Sequence, residues 1–344
     1  MLYSFLYSIV RPILFLLPAE TSHDLGLKAL RLLHSIGLVA LLKPSIPAVP
    51  TRVFGLEFSN PVGLAAGLDK NADYLDALGA LGFGFVEVGT VTPRPQDGNP
   101  KPRLFRLARE HAIINRMGFN NKGVDHMVEQ LKTRRYRGIV GVNIGKNLTT
   151  KVENAVDDYL LCLRKVYAHA DYIVVNLSSP NTPGLRSLQF GEQLEALLKT
   201  LQAERQLLSA QQQQRLVPLL LKIAPDLTPA EVAGIADTVR KAGIDGVIAT
   251  NTTLSRVRVE QSPHRDEAGG LSGAPLTPGS TAVLMQLAKA LDGSMAVIGV
   301  GGIMQGADAV AKRQAGAALV QIYSGFIYRG PALIAESARA LQHG

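Results

Sequence analysis

The segment Asn176-Leu177-Ser178-Ser179-Pro180-Asn181 packs two amides and two hydroxyls into six residues, and the chain holds several clusters like it. Ala66-Gly67-Leu68-Asp69-Lys70, Thr90, Asn143, Lys222, Thr250-Asn251-Thr252, Gly301-Gly302 and Tyr323-Ser324 each stand at or just beyond the end of a short apolar run. A carboxamide presents donor and acceptor in one plane, and Lys70 and Lys222 add positive charge. Such a set suits polar, planar, anionic ligands. No grouping of His, Asp and Glu with metal-ligand spacing accompanies it, so no metal is expected. Gly301-Gly302 and the Ser324-Gly325 step before a final helix match phosphate sites built from backbone N–H groups, and a phosphate-bearing cofactor is expected.

Eight apolar runs must position these residues: 62–65, 83–88, 139–143, 172–176, 217–223, 246–250, 296–300 and 317–322. They are rich in Val, Ile and Leu without alternation, as strands buried on both faces are. Most gaps carry helical spacing, as in 194–208, 229–242 and 281–291. Eight strand–helix units predict an α/β fold, a (β/α)₈ TIM barrel, with its chemistry at the C-terminal mouth. An open dinucleotide-binding sheet fits poorly. The first strand–helix turn contains no GxGxxG, and Met304 breaks that pattern after Gly299-Val300-Gly301-Gly302.

With 344 residues, 47% hydrophobic, the chain can bury either one large barrel or two ordinary domains. A single cysteine, Cys162, excludes an internal disulfide and reads as a small buried residue of a helix. A net charge of +8 is compatible with nucleic acid, anionic lipid or an anionic substrate. No basic run is interleaved with aromatics and no zinc-finger spacing is present, so no nucleic-acid partner is expected.

Residues 1–43 read as a separate helical extension, 44–60 as a proline-rich linker leading into the barrel, and 61–344 as the barrel itself. The first ten residues are strongly apolar, Arg11-Pro12 interrupts them, and Ile13 to Leu17 continue the run. That is too short and interrupted for a bilayer span and lacks the flanks of a signal peptide. Thr21 or Ser22 is the expected N-cap of a second, amphipathic helix running through Leu25, Ala29, Leu30, Leu33, Ile36 and Leu41. By pattern alone, this pair either pads a barrel or dimer face or lies in a membrane interface.

Gly67-Leu68-Asp69-Lys70, Glu87-Val88-Gly89-Thr90-Val91-Thr92-Pro93, Asn115-Arg116-Met117-Gly118-Phe119-Asn120, the NLSSPNTPGLR segment from Asn176 to Arg186, and Ile298-Gly299-Val300-Gly301-Gly302-Ile303 occur in that order. Together they closely resemble the dihydroorotate dehydrogenases, from about residue 50 to the end. Soluble members carry a cysteine base where this chain has Ser179; serine plus apolar N-terminal helices resembles the membrane-associated, quinone-reducing class 2 of bacterial type. The resemblance implies a peripheral enzyme of pyrimidine (UMP) biosynthesis at the cytoplasmic face of a bacterial inner membrane, expected as a monomer. A dihydropyrimidine dehydrogenase-like reductase would need iron–sulfur cysteines that are absent. A flavin-free Schiff-base barrel using Lys70 or Lys222, or a membrane-bound scaffold, are more distant readings.

The resemblance implies FMN contacts at Ala66, Gly67, Leu68, Asp69, Lys70, Thr90, Asn143, Asn176, Lys222, Thr250, Gly273, Gly302, Tyr323 and Ser324. It implies dihydroorotate contacts at Lys70, Asn115, Arg116, Met117, Gly118, Phe119, Asn176, Asn181, Asn251 and Thr252. Ser179 would be the base, and Thr182 would carry its proton onward, with Ser178 as a loop hydroxyl making local bonds. His23, Arg106 and Tyr323 match positions near a quinone headgroup. His23 could equally serve as a first-turn helix residue. Arg106 could pair with Glu110 one turn away, were that segment helical.

Overall fold

Each of the eight apolar runs becomes a barrel strand in the computed structural model, which describes residues 2–213 and 215–343. Met1 and Gly344, the outer bounds of the expected units, lie outside the described residues. A hairpin of β1 (Thr51–Val53) and β2 (Leu56–Phe58) precedes the barrel, within the stretch read as linker. Its two-residue turn holds Phe54 at φ 55° and Gly55 at φ 72°, the left-handed pair that a tight hairpin requires. Phe58 packs edge-on against Phe85 at 5.1 Å, so the hairpin plugs the lower end of the barrel.

The barrel strands are β3 (Val62–Leu64), β4 (Phe85–Val91), β7 (Ile139–Ile144), β8 (Tyr172–Asn176), β9 (Leu219–Ile223), β10 (Gly246–Ala249), β12 (Ala296–Val300) and β13 (Ala317–Ile322). All pair in parallel with their sequence neighbours, and β13 returns to β3 to close the ring. Between β4 and the next barrel strand the chain inserts β5 (Leu104–Leu107) and β6 (Ala112–Asn115), and after β10 it inserts β11 (Gly270–Gly273). These three form an antiparallel sheet of their own in the order β11-β6-β5. One face of it, Phe105, Leu107, Ala112, Ile114 and Leu271, makes a small separate core with Val259.

Helices α3 (Leu75–Gly79), α4 (Val124–Thr133), α5 (Ala155–Val166), α6 (Gly191–Gln212), α7 (Pro229–Ala242), α8 (Thr277–Leu291), α9 (Gly306–Gln314), α10 (Ser324–Arg329) and α11 (Ala332–His343) follow the strands and bury the outer faces. Cys162 lies buried in α5.

The N-terminal extension holds α1 (Leu2–Phe15) and α2 (Ala19–Ser35). Arg11-Pro12 lies inside α1 and does not end it. The expected cap at Thr21 or Ser22 is corrected, because α2 begins at Ala19 behind Pro18. Ser22 instead donates its hydroxyl backwards to the Leu14 carbonyl at 2.5 Å, tying α2 to α1. The second helix also stops short of Leu41. Gly37 at φ 77° turns the chain into a 3₁₀ segment over Leu38–Leu42. Ile9, Ile13, Leu16, Leu32, Ile36 and Leu41 all point into solvent, an outer apolar face on an otherwise ordinary surface. Among the described residues no helix is long and apolar enough to cross a membrane.

Candidate active site

Strand pleating decides what the barrel mouth contains. Inward positions alternate, so Tyr172, Val174 and Asn176 of β8 face the axis in turn, as do Leu220 and Lys222 of β9 and Leu319 and Gln321 of β13. The lower members are apolar core; the upper members are polar and open into a cavity at the C-terminal end.

That cavity brings together most of the expected residues. Ala66, Gly67, Lys70, Thr90, Asn176, Lys222, Thr250, Gly273, Gly302, Tyr323 and Ser324 line it, and so do Asn115, Met117, Gly118, Phe119, Ser179, Asn181, Asn251 and Thr252. Five others stand elsewhere. Leu68 lines a second cavity. Asp69 is buried in its own loop, accepting from the backbone N–H groups of Asn71, Asp73 and Tyr74, and burial lifts its carboxyl to about 6. Asn143 lies beneath the lining. Arg116 turns outward to pair with Glu267 at 2.5 Å and to cover the Phe105 ring. Thr182 is buried but outside the lining, and among the described residues no direct hydrogen bond joins it to Ser179.

Glu87 and Gln321 organise the floor; Glu87 opens a motif quoted above but carried no expected role, and Gln321 did not stand out in the sequence. The fully buried Glu87 carboxylate accepts from Asn143 Nδ2 at 2.9 Å, the Tyr172 hydroxyl at 3.1 Å and Gln321 Nε2 at 2.6 Å. Thr90 Oγ1 donates to Asn143 Oδ1 at 2.6 Å and accepts from Asn176 Nδ2 at 2.8 Å. Asn251 Nδ2 completes the lattice through Ser178 Oγ at 3.0 Å, and Ser178 Oγ in turn donates to Asn176 Oδ1. Ser178 thus makes local bonds. These bonds hold the amides of Asn143, Asn176 and Asn251 in one orientation.

Two lysines reach the cavity. Lys222 Nζ makes no hydrogen bond to the described residues; burial lowers its affinity for a proton, and Glu87 opposes that. Lys70 Nζ donates to the Gly67 carbonyl at 2.8 Å. Burial brings it down to about 8, with Glu20 favouring the charge and Arg103 opposing it. Buried ammonium groups with no carboxylate at ion-pair distance favour an anionic ligand. Ser179 is buried at the wall, and its Oγ accepts from Asn181 N at 3.2 Å. Asn181 is held in turn by Asn115, across the inserted sheet. Arg186, a further residue without an assigned role, ties the Ser178 carbonyl to that of Thr252 and pairs with Asp226 at 2.8 Å.

The chain matches the family model of dihydroorotate dehydrogenase over residues 48–343. The chain belongs to this family. It is 60% identical to a dihydroorotate dehydrogenase (quinone) of Cellvibrio japonicus and 58% identical to one of Pseudomonas aeruginosa, each over 98% of both chains. Among solved structures it resembles DHODH of Eimeria tenella in complex with ferulenol, with a TM-score of 0.85 and 41% identity over 94% of this chain and 90% of that one.

A second, apolar cavity lies beneath the N-terminal helices of this family member. Leu14, Leu30, Leu33, Leu68 and Ile113 contribute to it, together with His23, Arg106 and Tyr323. Tyr323 therefore faces both cavities. Burial lowers the half-buried His23 imidazole to about 3, with Lys70 adding to the effect, so it is neutral at ordinary pH. The expected Arg106–Glu110 helix pair is corrected: Arg106 lies on β5, and Glu110 in the turn beyond it. Its guanidinium donates to the carbonyls of Leu14 at 3.2 Å and Phe15 at 3.1 Å and to that of Leu17, and sits 4.5 Å over the Phe15 ring. It caps the end of α1.

Proposed function

We propose that this chain oxidises dihydroorotate to orotate with FMN as hydride acceptor and a membrane quinone as terminal acceptor, within pyrimidine (UMP) biosynthesis. The observation that carries the reading is the pair of cavities meeting at Tyr323: one polar and cationic, one apolar and roofed by helices with an apolar outer face.

The residues fit the cofactor. Among the described residues Lys222 Nζ makes no hydrogen bond, Gln321 Oε1 is a buried acceptor without one, and Gly273, Gly301 and Gly302 leave a wall of backbone. Lys222, Thr90, Thr250 and Asn176 would hold the ring system, and the glycines with Ser324 the phosphate. When bound, FMN supplies the two-electron acceptor that no side chain here offers. Lys70 anchors the substrate carboxylate, while Asn115, Asn176, Asn181 and Asn251 offer paired donors and acceptors to its ring amides. The backbone at Met117, Gly118 and Phe119 closes one side.

Ser179 takes the proton from ring carbon 5 as a hydride leaves carbon 6. A serine hydroxyl is a weak base and must pass its own proton on as it accepts one. The Asn181 N–H fixes one lone pair of Oγ and leaves the hydroxyl hydrogen free to be handed on. Because Thr182 makes no direct bond to Ser179, it acts by ordering solvent on the way out. The quinone takes up two electrons and two protons at the second cavity, near His23, Arg106 and Tyr323. Residues 1–43 rest on the inner membrane from its cytoplasmic side, and the chain acts as a monomer. The deciding experiment is dihydroorotate-dependent reduction of a quinone, fumarate and NAD⁺ in parallel. Turnover confined to quinone is expected; preference for fumarate or NAD⁺ would overturn the acceptor.

A further inference from the structure

Lys312 of α9 is fully buried yet takes no part in the chemistry above. Its side chain passes Gly299 of β12, where an added methyl would stand 3.2 Å from Lys312 Cβ. Lys312 Nζ donates to Ser280 Oγ at 2.6 Å and Thr281 Oγ1 at 2.9 Å, both near the start of α8. The carboxylate on its own helix, Asp308, is occupied by the backbone N–H groups of Met304 and Gln305. Among the described residues the ammonium therefore has no ion pair within bonding distance, and burial brings it down to about 7, with Asp308 favouring the charge from further off. A buried cation without a bonded anion is costly, and its hydroxyl partners lead toward the cavity wall.

The hydroxyls lead there. Ser280 Oγ, having accepted from Lys312, has one hydrogen to give; the Gly301 carbonyl is its nearest acceptor at 2.9 Å, ahead of those of Leu276 at 3.0 Å and Thr277 at 3.3 Å, and for Thr277 Oγ1 the Gly302 carbonyl at 2.7 Å is nearer than that of Ala274 at 2.9 Å. With both carbonyls turned toward α8, Gly302 and Ile303 line the cavity, and their N–H groups have no partner among the described residues. A chain from ammonium to hydroxyl to carbonyl polarises the Gly301–Gly302 peptide and strengthens its N–H as a donor. We propose that Lys312 is a positioning residue for a ligand phosphate, acting through Ser280 on the Gly301-Gly302 peptide as the positive charge behind the phosphate cradle. This rests on the FMN reading given above.

The test compares two flavins that differ only in the phosphate. Full-length holoprotein carrying FMN, and the same protein exchanged with riboflavin, are diluted and flavin release is followed by fluorescence. Lys312→Met should speed FMN release at least tenfold and leave riboflavin release unchanged. Equal acceleration of both flavins would mean a packing defect and overturn the proposal, as would unchanged FMN release. Ser280→Ala keeps the lysine and cuts the chain, so it should loosen FMN selectively by a smaller factor; no effect there refutes the relay even if Lys312→Met fails to fold. A wild-type protein that holds neither flavin would instead sink the FMN reading itself.

Discussion

Replacing Arg106 by Met should undock the N-terminal helices while leaving the barrel intact. The guanidinium donates to three carbonyls at the end of α1 and to Ser22 Oγ at 3.3 Å, and it stacks on Phe15. A hydrogen bond from a charged donor is worth about 1.5–3 kcal/mol net, and a cation–π contact at a partly exposed site about 0.5–1 kcal/mol. These bonds share one side chain and are not additive, so one full bond plus the stacking is counted, roughly 2–4 kcal/mol. At 1.4 kcal/mol per decade, the docked-to-undocked ratio falls roughly 30- to 1,000-fold. Glu20–Arg103 at 2.8 Å and the Tyr7 hydroxyl on the Ile327 carbonyl at 2.6 Å remain to hold the pair loosely. Cleavage by a dilute protease within residues 44–50 reads the open population directly. Arg106→Met should raise that rate at least 30-fold, on the estimate above. It should also raise KM for quinone while sparing dihydroorotate turnover with a soluble dye. Unchanged cleavage together with unchanged quinone kinetics would refute the capping role.

Ser179→Ala should lower turnover about 10²- to 10⁴-fold, the range for a lost general base, while the visible flavin spectrum stays intact; near-normal kinetics would remove Ser179 from the reaction. The Lys70 ammonium is present below about pH 8 and lost as pH rises through it, so KM for dihydroorotate should climb above pH 8 in wild type and stay flat in Lys70→Gln. Glu87→Gln places an amide donor among groups that already donate, and chemical denaturation should show a loss of about 2–4 kcal/mol. Deleting residues 1–40 should impair quinone reduction more than FMN binding, and equal quinone kinetics in the truncated chain would contradict the second cavity's role.

The barrel was readable because its strands are continuous Val, Ile and Leu runs buried on both faces; 172–176, 296–300 and 317–322 coincide with β8, β12 and β13. The polar clusters were readable because they sit where each run stops. The roles of Glu87 and Gln321 were not readable for the complementary reason: each lies inside an apolar run, where only two-residue stepping from Phe85 or Leu319 shows that it points inward. The inserted sheet was invisible because its strands are four residues long and β6 pairs with β11 across more than 150 positions; no local pattern encodes that. The Phe54-Gly55 turn did carry a signal, overlooked within a proline-rich stretch. Asp69 stood in a motif with Lys70, yet the loop turns its carboxylate onto its own backbone.

Tyr323 and the inserted sheet together bound two cavities of opposite character. Leu104, Arg106 and Ile113 on the inner face of that sheet reach the apolar cavity, while Asn115 and Ser272 on the same face reach the polar one. The three strands of the inserted sheet thus contribute to the walls of both cavities. Tyr323 lines both cavities. Its hydroxyl, pushed up to about 12 by burial, stays protonated and donates to the Gly67 carbonyl at 3.4 Å. The ring can lie there because residue 67 is glycine: at φ 107° few other residues are tolerated, and a Cβ would stand 3.2 Å from the ring edge. The backbone of the Gly67-Leu68-Asp69-Lys70 motif therefore fixes the partition from one side, while Lys70 presents its charge to the polar site and Leu68 its side chain to the apolar one.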